Sequence, residues 1–175
     1  MKSQLSEIDE RSVSNDSSLK GSATIVVSVD DLSSPEVQAL VTAHLADMHA
    51  VSPPKNVHAM AIEGLQQPDV TFWSARIQGQ LCGCGALKVL SDTAGEIKSM
   101  RTHSEYLRRG VAQAVLDEII RVAQGRGYTH LFLETGSGEA FEAAHTLYLR
   151  NGFERTEAFG NYVATEFNVF MVKRI

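Results

Sequence analysis

Six consecutive residues, Arg108-Arg109-Gly110-Val111-Ala112-Gln113, offer the clearest chemistry in this chain. They stand between a stretch that reads as a strand and one that reads as a helix. The first N–H groups of a helix have no partner within it, and the helix dipole places roughly half a positive charge beside them. Gly110 and Ala112 keep the backbone open to approach, and the two arginines add charge. By general physics this is a place for a phosphate or pyrophosphate. Taken alone, it is equally a tight turn with solvated arginines. The two cysteines, Cys82 and Cys84, invite a metal reading. One residue apart in a strand, they are expected to share a face. No second Cys pair or neighbouring His pair completes a ligand set, so they read as small core residues and no metal is expected.

The elements that must position these residues follow from periodicity. "ATIVVSV" from Ala23 is β-branched and reads as a strand. "SSPEVQALVTAHLADMHAV" reads as a helix capped by Ser33 or Ser34, with Pro35 in its first turn and "SPP" as its stop. A second, short helix is expected through "NVHAMAIEGLQ". "DVTFWSARI" and "LCGCGALKVL", joined by "QGQ", read as a hairpin, and "AGEIKSMRTH" as a further strand. In the helix that follows, Val111, Val115, Ile119 and Val122 form an apolar stripe, widened by Ala112, Leu116 and Ala123. Then come the strand "YTHLFLETGS", the helix "EAFEAAHTLYLRN" closed by Gly152, and the strands "FERTEAF" and "NVFMVKR". The order predicts a mixed α/β fold with a largely antiparallel front half. Residues 1–21 are polar, serine-rich and aperiodic, and read as a disordered tail outside a domain spanning 22–175.

Composition narrows the function. The chain has 175 residues, 43% apolar content and a formal net charge of −5, which suits one globular domain and argues against nucleic-acid binding. No apolar run is long enough for a membrane helix, and the start lacks a secretory signal, so a cytoplasmic location is expected.

Two motifs in this element order carry a resemblance. The first is Leu107-Arg108-Arg109-Gly110-Val111-Ala112, and the second is Leu147-Tyr148-Leu149-Arg150-Asn151-Gly152-Phe153. They resemble the Gln/Arg-x-x-Gly-x-Gly/Ala and Leu-Tyr-x-x-x-Gly-Phe signatures of the GCN5-related N-acetyltransferase family. The wider pattern looks like that family's YsnE-like branch. Leu107 departs from the usual Gln or Arg, but the amides after it form the cradle. Phe141 stands where many members carry an Asn, so that contact is not carried over.

The resemblance implies a mixed, largely antiparallel sheet of about seven strands with about four helices and splayed middle strands. It implies acetyl-CoA as co-substrate. Backbone groups of Met100 and Thr102 would hold the pantetheine arm, and the amides of Arg108, Arg109, Gly110, Val111, Ala112 and Gln113 the pyrophosphate. Tyr148 would protonate the departing thiolate. Deprotonating an alkylammonium at pH 7 costs roughly 4 to 5 kcal/mol, so a carboxylate base is needed. Glu96 resembles the family's base position and is expected to share a face with Lys98, Met100 and Thr102; Glu134 is the other candidate. His44, His49, His58 and Trp73 lie where the acceptor pocket would be walled, and Lys98, Arg101 and Glu134 could orient an acidic or zwitterionic acceptor. The acceptor is expected to be a small-molecule primary amine. Protein lysine or N-terminal acetylation, and a non-catalytic acyl-CoA sensor, are the alternatives. A homodimer is left open.

Overall fold

The computed structural model describes residues 24–175; the expected tail lies outside them. The chain runs β1 (Ile25–Val29), α1 (Pro35–Val51), α2 (Ile62–Leu65), β2 (Val70–Ile77), β3 (Gln80–Ser91), β4 (Ala94–Thr102), α3 (Val111–Gly125), β5 (His130–Gly136), α4 (Glu142–Arg150), β6 (Glu154–Thr156) and β7 (Asn168–Arg174). These strands form one seven-stranded sheet in the order β1-β2-β3-β4-β5-β7-β6. All neighbours are antiparallel except β4 and β5. Those two are joined through α3, and a parallel pair needs such a crossover.

Helices cover both faces. On one, Val111, Val115, Leu116, Ile119 and Ala123 of α3 pack with Ile97, Leu131, Leu133, Tyr148 and Phe153. On the other, Val37, Leu40 and Val41 of α1 pack with Leu65, Phe72, Cys84 and Ala86. The apolar stripe of α3 is buried as its spacing predicts, with Val122 at the half-buried margin.

The first helix is capped as expected: the Ser34 hydroxyl accepts from the Val37 amide and Pro35 opens the first turn. Ser34→Ala is expected to cost about 1 kcal/mol. A chain of this size should then melt roughly 2 to 4 °C lower in calorimetry. The second helix is shorter than expected. It is one turn, and residues 57–61 before it are non-helical. Long-range contact holds the chain leading there: Asn56 Nδ2 donates to Thr165 Oγ1 and to Asn168 Oδ1, both at 2.8 Å.

Two β-bulges overturn face assignments that rest on strict alternation. Between β2 and β3, Ala75 pairs with Gly83 but Arg76 with Leu81, so Cys82 is an extra residue. Cys82 therefore points into the α3 side and Cys84 into the α1 side. The cysteines do not share a face. Burial pushes the Cys84 thiol up to about 12, which leaves it unreactive. Between β3 and β4, Cys84 pairs with Arg101 and Ala86 with Lys98, so β4 carries the extra residue, and Ser99 sits there at φ 53°. Lys98 and Glu96 lie on the α1 side. Beyond the bulge Met100 turns to the α3 side, against the same space as Val115 and Ile119. Glu96 thus does not share a face with Met100, nor with Thr102 two residues on.

Candidate active site

The parallel pairing of β4 and β5 runs from Ala94 opposite His130 to Ile97 opposite Leu133, then stops. Past the bulge the two strands separate. The His103 amide donates to Cys82 O at 2.9 Å, so that residue's backbone faces β3. By alternation the backbone groups of Arg101 face β3 too, and those of Met100 and Thr102 face the gap. The gap opens at the carboxyl ends of the strands, where open α/β sheets take ligands.

The turn before α3 lies at the same edge. Gly110, at φ 83°, is the residue before the helix, and Arg108 is also left-handed at φ 60°. The first backbone bond of the helix is Ala114 N to Gly110 O. Among the described residues, none accepts a hydrogen bond from the amides of Arg108 through Gln113. The first N–H groups of α3, Val111 to Gln113, are thus left without acceptors, as donors of the kind that take an anion. A Cβ at Gly110 would meet only Ile25 Cδ1, at 3.9 Å, so the approach is open. The Arg109 guanidinium lies over the Tyr106 ring, 5.3 Å from its centroid. The Gln113 side chain is engaged elsewhere, exchanging hydrogen bonds of 2.8 and 2.9 Å with Asn151.

Tyr148 reaches the gap from α4, through the way that helix ends. Gly152 takes φ 77°, Phe153 N bonds back to Tyr148 O at 3.0 Å, and Gly152 N to Leu149 O at 3.1 Å. This is a Schellman end, whose characteristic apolar contact joins the residue after the glycine to the last turn. Here that contact is Phe153 against Tyr148, edge-on with centroids 5.4 Å apart. The spacing Tyr-x-x-x-Gly-Phe is therefore a helix stop that fixes the tyrosine ring. Tyr148 lines the cleft with Lys98, Ser99, Met100 and Glu134. Its hydroxyl bonds to no described residue, and burial raises the phenol well above its ordinary range, so it stays protonated.

The carboxylates divide. Glu134 lines the cleft with Tyr148. Its Oε1 accepts from Asn168 Nδ2 at 2.6 Å, and burial raises its pKa. Glu96 is 4% exposed and lines an adjoining hollow roofed by Phe159 and Tyr162. Its Oε1 accepts from Lys98 Nζ at 3.0 Å and from the Tyr162 hydroxyl, and Lys98 also donates to Tyr162 at 2.7 Å. Burial, then the neighbouring carboxylates, raise the Tyr162 phenol.

His44 and His58 line the cleft, whereas His49 is exposed on the last turn of α1. Burial, with Arg101 beside it, lowers His44 to about 4 and keeps it neutral. Trp73 is a correction: it is 1% exposed within the α3-side core and lines no part of the cleft. Tyr162, Asn168 and Asn56 are absent from the residues singled out by sequence. Asn56 and Asn168 open segments marked only by their periodicity, Tyr162 lies between the last two strands, and only the folded chain brings the three here. Among the described residues no group of three or more His, Cys, Asp or Glu could hold a metal ion, and no helix is long and apolar enough to cross a membrane.

A mixed sheet split between two parallel strands, with an amide cradle at the mouth of the split, defines the acyl-CoA N-acyltransferase class. A Klebsiella pneumoniae protein solved as a proposed acyl-CoA N-acyltransferase superposes with TM-score 0.70 at 26% identity, covering 86% of this chain and 97% of that one. The acetyltransferase (GNAT) family model matches residues 37–153. The chain is 48% identical over 149 residues to the uncharacterized N-acetyltransferase YsnE of Bacillus subtilis, covering 85% of this chain and 99% of that one. It is 50% identical over 136 residues to the uncharacterized N-acetyltransferase YedL of Escherichia coli, covering 78% and 86%. The protein belongs to the GNAT family of acetyltransferases, in the branch of YsnE and YedL, and is an N-acetyltransferase.

Proposed function

We propose that this protein transfers an acetyl group from acetyl-CoA to the primary amine of a small molecule, with the cleft between β4 and β5 as its active site. The run of six unpartnered amides carries the cofactor half of this reading. Amides Arg108 to Gln113 hold the pyrophosphate, and the backbone of Met100 and Thr102 pairs with the pantetheine arm as an added strand would. Strand amides at the bulge lie where a thioester carbonyl needs donors. Glu134 accepts the proton of the amine, directly or through water. It is preferred to Glu96 because it lines the cleft with Tyr148, and a raised pKa makes it the stronger base. Glu96 anchors Lys98 and Tyr162 instead. Tyr148 gives its proton to the departing thiolate.

The acceptor end supports a small molecule over a protein. Asn56, before α2, bridges to Thr165 and Asn168 of the β6–β7 segment. Tyr162 of that segment is fastened to Glu96 and Lys98, and Phe167 packs edge-on against Phe141. These ties fasten the β6–β7 segment beside the cleft, which favours a small acceptor over an extended peptide.

Acetyl-CoA at ~100 times its dissociation constant should add about 2.7 kcal/mol. The melting point should rise by roughly 5 to 10 °C. A flat thermal-shift curve at millimolar acetyl-CoA would overturn the assignment of the cleft. CoA release on mixing with small amines tests the transfer itself.

A further inference from the structure

We infer that the acceptor is an amino acid or close derivative, a small molecule carrying a carboxylate beside the amine, with Lys98, Ser99 and His44 receiving the carboxylate. This rests on the proposed cleft and deepens it. The two walls of the cleft differ in what they leave unpaired. On the β4 wall, the Ser99 hydroxyl is buried, lines the cleft and has no hydrogen-bond partner among the described residues. On α1 beside it, the buried Nδ1 of His44, which also lines the cleft, is likewise unpartnered. Lys98 spends one N–H on Glu96 and one on Tyr162. An ammonium has three, so one remains.

A buried polar atom left unpaired is costly, and such atoms gathered at a ligand cleft are satisfied when the ligand arrives. Ser99 and Lys98 are donors, Lys98 a cation, and the neutral His44 ring donates from Nδ1 in one of its tautomers. A carboxylate accepts from several donors at once, and charge-assisted bonds are the strong ones. The β5 wall offers an acceptor instead. Glu134 spends Oε1 on Asn168 and has no described partner at Oε2, so it suits the ammonium of the incoming amine. A donor wall facing a carboxylate wall is complementary to a zwitterion and mismatched to a simple alkylamine.

The bulge explains why Ser99 is available. In a regular strand its hydroxyl would follow the alternation into one of the packed faces. At φ 53° it stands out of the pleat, beside Lys98, at the point where β4 leaves β5.

The test is CoA release by thiol titration over a panel of L-amino acids, each run beside its carboxamide and its decarboxylated amine. Amino acids should exceed their uncharged counterparts by at least ~10-fold in kcat/KM, the loss expected when charged-group hydrogen bonds go unmade. Ser99→Gly suits the left-handed backbone, keeps the strand amide and should shrink that preference several-fold, while calorimetry on the same preparation still reads acetyl-CoA binding. Lys98→Met should abolish the preference, but it strands Glu96, so Ser99→Gly is the variant that keeps the test sound if it fails to fold. Equal or faster turnover of the decarboxylated amines would overturn the inference. So would acetyl-CoA binding without turnover of any panel member, which leaves the cofactor site standing. Absence of acetyl-CoA binding would instead overturn the proposed function beneath it.

Discussion

Tyr148→Phe is expected to bind acetyl-CoA nearly as tightly as the parent protein and to turn over at least ~10-fold more slowly. The ring is fixed by its edge-on contact with Phe153 and by the α3-side core, and Phe keeps both. The hydroxyl bonds to no described residue, so its removal breaks no bond of the fold, and the melting point should stay within a few degrees. What disappears is a proton donor, which burial keeps protonated and uncharged at neutral pH. General-acid assistance is typically worth about 10²- to 10⁴-fold, and water entering the vacated space sets the lower bound. The effect should fall on kcat rather than on cofactor affinity, measured on one preparation by thiol titration and calorimetry. Undiminished turnover would make Tyr148 a packing residue alone. Cofactor binding by both proteins, without turnover of any amine, would favour an acyl-CoA sensor over an enzyme acting in this cleft.

Gly110→Glu should lose acetyl-CoA binding in a protein that still folds. The position holds φ 83°, where a non-glycine residue costs about 1 to 2 kcal/mol. That is a few degrees of melting point at this chain length. The added side chain meets no crowded neighbour, since only Ile25 Cδ1 lies within 4 Å of the new Cβ, at 3.9 Å. Its carboxylate would enter the open side of the amide cradle, where it repels a pyrophosphate and competes for the same donors. Calorimetry on the folded variant decides the matter, and unchanged affinity would reduce the cradle to a structural turn.

Residues whose pattern is local were legible before the structure. The α3 stripe, the Ser34 cap, the hairpin at Gln78-Gly79 and the Gly152 stop each depend on neighbours a few positions away, and each falls where the pattern puts it. The two bulges did not announce themselves. Inserting one residue in a strand reverses every face beyond it. Cys82 was therefore paired with Cys84, and Glu96 with Met100, by an alternation the chain breaks at Cys82 and at Ser99. Tyr162 and Asn168 were invisible for a different reason. Their partners Glu96 and Glu134 are 66 and 34 residues away, a distance no local pattern spans. The same distance explains the shortened α2, whose approach is held open by Asn56 reaching 109 residues forward.

The paired amides of Gln113 and Asn151 act as a strut. They join the first turn of α3, where the run of unpartnered amides ends, to the end of α4, one turn from Tyr148. The span between the amides before α3 and the Tyr148 phenol is thereby set, like the jaws of a caliper locked at one opening. In the proposed function, a donor with the full reach from pyrophosphate to thioester fills that opening, and a truncated thioester engages only one jaw at a time.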